Sequence, residues 1–149
     1  MQILLAAPGT GKTTKIKSII DTDYAEASNI LVLSFTNATI NDLTNSFREY
    51  KNVRCHTLHQ YALIINHLPK NHVLCDYEIR LLERVSSKIE IGFNTICEIL
   101  HCMTFEMMIS SSIEFINQNP AYAEEKVGEI DLLVVDEFQD FNQIERDLV

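Results

Sequence analysis

Apolar residues in this chain follow two rhythms, short continuous runs and longer stretches at helical spacing. The run Ile3-Leu4-Leu5-Ala6-Ala7 predicts a buried strand, and a turn through Pro8, Gly9, Thr10 and Gly11 follows it. That turn opens into a predicted helix carrying Ile16, Ile19 and Ile20 on one side. Asn29-Ile30-Leu31-Val32-Leu33-Ser34-Phe35 is apolar almost throughout, as strands covered on both faces tend to be. Thr36-Asn37 reads as a cap for a helix over 38–50, with Ile40, Leu43 and Phe47 on one face. Val53-Arg54-Cys55-His56 predicts a third strand, and 57–68 a further helix stopped by Pro69. Beyond it the helical period takes over. Ile79, Leu82, Val85 and Ile89 mark a helix, and 93–119 continues in the same style, with breaks at Gly92 and Pro120. Ile130-Asp131-Leu132-Leu133-Val134-Val135 then returns to strand character and ends in two carboxylates.

Strand and helix alternate over the first part of the chain, which argues an α/β fold with a parallel sheet flanked by helices. The expected organisation is a core of residues 1–69 and 129–149, interrupted by an all-helical insertion over 70–128. Met103, Met107 and Met108 in that insertion read as core packing.

Composition narrows the function classes. The 149 residues make about one domain, with 46% hydrophobic content and a formal charge of −9. Such an acidic balance argues against a broad basic face that grips nucleic acid by electrostatics alone. The N-terminal stretch lacks a positive region ahead of its apolar run, which Pro8-Gly9 cuts, so it does not read as a signal peptide. No apolar stretch reaches membrane-spanning length, and a cytoplasmic protein without a membrane partner is expected. Cys55, Cys75, Cys97 and Cys102 form no CxxC pair and read as reduced thiols. Cys97, His101 and Cys102, expected on one helix, lack the fourth ligand and the spacing of a zinc site.

The chemistry concentrates in two places. Gly9 and Gly11 let the backbone curl so that several N–H groups face one anion, and the helix starting near Lys12 adds its positive dipole end. The loop Ala7-Pro8-Gly9-Thr10-Gly11-Lys12-Thr13-Thr14 is therefore a candidate phosphate cradle. Lys12 would reach the β- and γ-phosphates, and the Thr13 hydroxyl would ligate magnesium. Ala6 stands where the pattern has its first glycine. A parallel strand delivers its C-terminal residues to the edge where such a loop sits. Asp136 would then hold magnesium and Glu137 would deprotonate the attacking water.

Four stretches occur in an order that resembles motifs I, Ia, Ib and II of the UvrD/Rep/PcrA-like superfamily 1 DNA helicases. They are residues 6–13, Leu33-Ser34-Phe35-Thr36-Asn37, Cys55-His56-Thr57-Leu58-His59-Gln60-Tyr61-Ala62 and Val134-Val135-Asp136-Glu137-Phe138-Gln139-Asp140. The resemblance implies a P-loop, RecA-like fold with ATP and Mg2+ as cofactors, and it places 70–128 like the family's inserted 1B subdomain. It implies that Gln139 senses the nucleotide, and that Phe35, Thr36, Asn37, Thr57 and His59 lie along a single-stranded DNA path.

The chain also departs from that pattern. Ala38 stands where the family carries a lysine, and Gln2 is too close to the loop to read adenine. The family's later motifs, with their phosphate-stabilising arginines and the second motor domain, lie outside these residues. The sheet is accordingly expected to show a gap, a rearranged order, or a strand lent by the remaining helicase domains or a second chain. Two other classes compete. One is a small phosphoryl-transfer kinase, against which the trailing Gln139-Asp140 speaks. The other is a nucleotide-binding remnant that turns nothing over.

Overall fold

The computed structural model describes residues 11–67 and 72–149. Its elements run α1 (Lys12–Asp23), β1 (Ile30–Ser34), α2 (Asn37–Ser46), β2 (Val53–Thr57) and α3 (Leu58–Ile65). They continue with β3 (His72–Val73), α4 (Asp76–Ile89), α5 (Phe93–Ile99), β4 (Cys102–Met103), α6 (Phe105–Gln118), α7 (Pro120–Gly128), β5 (Leu132–Val135) and α8 (Gln143–Leu148). The protein is α/β, with a parallel sheet flanked by helices. The expected first strand, over residues 3–7, lies outside the described residues.

Two compact units emerge. The first comprises residues 1–57 and 124–138, the second 58–123 and 139–149.

In the first unit the sheet order is β2-β1-β5, all parallel. The middle strand is fully buried along its length, which explains why it is apolar nearly throughout. Ile30 and Val32 meet Ile20 of α1, Ile40 and Leu43 of α2, and Phe47 at its C-cap in one core. Val53 and Cys55 of β2 and Leu132 and Val134 of β5 extend it. Ile40, Leu43 and Phe47 are the positions the helical period selects. Thr36 caps α2, its hydroxyl accepting the Thr39 N–H at 3.1 Å. At the opposite sheet edge Asp131 Oδ2 accepts the N–H groups of Ser28 and Asn29 at 2.7 and 2.9 Å, which ties the entry of β5 to that of β1. β5 therefore joins the flank of β1 opposite β2, an arrangement that sequence order alone does not give.

The second unit is helical apart from one short feature. β3 and β4 form a two-residue parallel pair, His72 opposite Cys102 and Val73 opposite Met103. Two residues are too few to show a strand period, which is why this region reads as all-helical from sequence. The pair also separates Cys97, His101 and Cys102, which were expected on one helix. Cys97 lies in α5, His101 takes a left-handed turn at φ 51°, and Cys102 opens β4. Cys97 and Cys102 are buried with Leu74 beside Ile79, Leu82, Phe93 and Met107. Burial and the neighbouring Cys102 thiol push the Cys97 thiol up to about 11, which keeps it neutral. Met103 and Met108 are buried, as packing residues should be. Ser112 of α6 donates to Ala62 O of α3 at 2.9 Å, satisfying a hydroxyl inside that helix pair.

Candidate functional site

The site is built at the C-terminal edge of the sheet in the first unit. β5 runs Leu132–Val135, and its ladder continues one residue further, the Asp136 N–H donating to Leu33 O at 2.8 Å. That bond fixes Asp136 beside the last turn of β1. The chain then bends sharply, because Glu137 adopts a left-handed φ of 54°. For a non-glycine residue this conformation carries strain, and it turns the glutamate out of the strand direction.

Lys12 meets both carboxylates. Its Nζ donates to Glu137 Oε1 and lies 3.5 Å from Asp136 Oδ1. The three side chains are 22%, 31% and 14% exposed, so the cluster sits at the surface of the sheet edge and not in the core. The Glu137 hydrogen bond, helped by the charges of Asp136 and Glu137, raises the Lys12 pKa above its ordinary value against the opposing effect of burial. Lysine is thus held charged.

The N-terminus of α1 is prepared for an anion. Gly11 caps it at φ 83°, where only glycine is comfortable, and among the described residues no side chain accepts from the first-turn N–H groups. That first turn also contains no acidic residue. By contrast α2, α6 and α8 each receive a side-chain acceptor at this position. The donor set therefore fits a magnesium nucleotide. Uncapped N–H groups and Lys12 suit phosphate, while Asp136 and the Thr13 hydroxyl are hard oxygen donors. Of the predicted cradle, Ala7, Pro8, Gly9 and Thr10 lie outside the described residues; Gly11, Lys12, Thr13 and Thr14 are in place at the start of α1.

The residues implied for a single-strand path divide between the units. Phe35, Thr36 and Asn37 follow β1 directly and are exposed. Thr57 ends β2 in register with Ser34 and is 5% exposed. His59 belongs to the second unit, where its Nε2 lies 3.4 Å from Glu145 Oε1 and its ring stands edge-on to Phe105 at 4.7 Å. Burial lowers the His59 pKa, with Glu145 opposing. Gln139, also in the second unit, sits exposed in a short 3-10 turn, its carbonyl accepting from Arg146 Nη2 at 3.2 Å.

Two residues escaped the sequence reading. Glu145 is 5% exposed and forms a capping box with Asn142, a pattern legible as Asn-x-x-Glu. Ser34 is completely buried, and its Oγ is the one buried side-chain polar atom among the described residues without a hydrogen-bond partner. An unmatched hydroxyl of this kind costs about 1–3 kcal/mol. Only its place at the end of an apolar run hinted at a role.

The parallel sheet, the Gly11-capped start of α1 and the Lys12–Asp136–Glu137 grouping are those of a P-loop domain. Over residues 1–149 the chain matches the AAA domain family and belongs to it, a P-loop helicase-like family found in UvrD/Rep-type superfamily 1 helicases. P-loop AAA domains typically bind nucleotide with Mg2+. No curated protein matches the chain. Among the described residues no helix is long and apolar enough to cross a membrane.

Proposed function

We propose that this chain is the N-terminal motor segment of an ATP-dependent DNA helicase, binding Mg-ATP and hydrolysing it. The observation that carries the reading is the meeting of Lys12 with Asp136 and Glu137, groups separated by 125 residues between Lys12 and Glu137. Lys12 takes the carboxylates as partners, and a bound phosphate would replace them. Thr13 and Asp136 would hold magnesium, which supplies charge neutralisation at the β- and γ-phosphate oxygens. Glu137, released from Lys12, would accept the proton of the attacking water. Gln139, three residues beyond Asp136 in sequence, would sense the nucleotide. Phe35, Thr36 and Asn37, with Thr57 and His59, would contact single-stranded DNA through stacking and hydroxyl-to-phosphate bonds, a mode that an acidic protein can use locally. Coupling to movement along DNA would require the remaining motor domains.

Titration with a fluorescent ATP analogue, with and without magnesium, tests the nucleotide reading. Magnesium-dependent binding that disappears in Lys12→Ala is expected. A well-folded chain that binds no nucleotide overturns it. For the helicase part, adding the missing motor portion in trans should produce DNA-stimulated hydrolysis; hydrolysis indifferent to DNA would leave only a nucleotide-binding domain.

A further inference from the structure

The orphaned hydroxyl of Ser34 lies in a particular row. β1 and β2 pair Ser34 with Thr57, and β1 and β5 pair Leu33 with Val135, so the next step of the ladder sets Ser34 beside Asp136. Register partners in a parallel sheet point to the same face, about 4.8 Å apart. Ser34 shares that face with Ile30 and Val32, which pack against Ile20 of α1, the helix whose first residue is Lys12. A hydroxyl and a carboxylate thus stand side by side under the α1 layer, and among the described residues the hydroxyl makes no direct hydrogen bond. Neighbours at this spacing that do not bond directly are suited to a shared bridging oxygen.

We propose that Ser34 is a positioning residue of the nucleotide site, its hydroxyl holding a water of the magnesium shell against Asp136. The proposal rests on the reading that Asp136 binds magnesium. Magnesium keeps several of its waters and is commonly held by only one or two carboxylates, so the groups that orient those waters shape its affinity. Burial suits Ser34 to this task, because bulk water does not compete for its hydroxyl. A bridging water would give this unmatched hydroxyl its partner.

The experiment compares wild type, Ser34→Ala and Ser34→Cys by fluorescent ATP-analogue binding in EDTA and across a magnesium titration, with thermal melting alongside. Ser34→Ala is expected to keep the EDTA affinity, to melt at the same or a higher temperature, and to need about tenfold or more magnesium for its half-maximal effect. Ser34→Cys preserves most of the volume without a strong donor and should shift with alanine. A magnesium midpoint unchanged in Ser34→Ala, or a Ser34→Cys midpoint equal to wild type, would overturn the role. So would a Ser34→Ala chain that loses its fold, which would assign Ser34 to packing. Failure of the wild type itself to respond to magnesium sinks the nucleotide reading, and this inference with it; a responsive wild type with an indifferent Ser34→Ala sinks this inference alone.

Discussion

Glu137 and Glu145 stand eight positions apart, and each faces a side chain far back in the sequence, yet they are held in opposite ways. Glu145 is closed off. One oxygen accepts the Asn142 N–H at 2.8 Å, the other lies 3.4 Å from His59, and the residue is 5% exposed. Glu137 is 31% exposed in its side chain, sits at a left-handed φ of 54°, and is engaged by a lysine that phosphate can claim. A carboxylate whose acceptor positions are met by its own fold serves structure. One that is strained, accessible and paired with an exchangeable cation is equipped for chemistry.

The difference can be broken from the Glu137 side first. Glu137→Gln should lower ATP hydrolysis by about 10²–10⁴, the usual contribution of a general base, with melting temperature and nucleotide binding retained. Turnover at the wild-type rate would remove Glu137 from the chemistry. Glu145→Ala should do the reverse. Loss of the cap and of the His59 partner is expected to reduce stability by about 1–2 kcal/mol in urea denaturation. Nucleotide affinity measured below the transition should hold, and a specific loss of turnover in a fully folded Glu145→Ala would dissolve the distinction.

A comparable but smaller loss, about 1 kcal/mol, is expected for Thr36→Ala, which removes the α2 cap, and differential denaturation against wild type would measure it. The smallest effect concerns pH. Burial depresses His59, so the fold favours its neutral form. The stability it contributes is present above its unfolded value near 6.5 and is lost as pH falls through the lower folded value. Stability profiles of wild type and His59→Gln should therefore converge on the acid side. Parallel profiles would mean that the proton goes elsewhere.

Much of this was legible in the residues. Ile79, Leu82 and Ile89 mark a helix that the structure bounds at Asp76–Ile89, and Thr36 caps α2 as its type suggests. Ile40, Leu43 and Phe47 are buried as their period requires. The carboxylates after β5 reached Lys12 because parallel strands share a C-terminal edge. What escaped depended on distance or on brevity. The β3–β4 pair is too short to show a period, and the turn at His101 uses a non-glycine residue at positive φ, so no breaker announces it. The His59–Glu145 pairing joins residues whose partnership only tertiary packing decides.

The order β2-β1-β5 also has a temporal side. Ile30 must find Leu132 about a hundred positions downstream, while its other neighbour, Val53, lies only a single crossover through α2 away. Loop-closure entropy makes the first pairing the slower, so β1 and β2 with their helices can gather early, and the flank of β1 waits for β5. Until then that flank presents unpaired backbone groups open to other chains. Lys12 has neither carboxylate partner before β5 is seated. Competence to bind nucleotide should thus arise in the last folding step, so refolding followed by nucleotide binding would report the closing of the sheet.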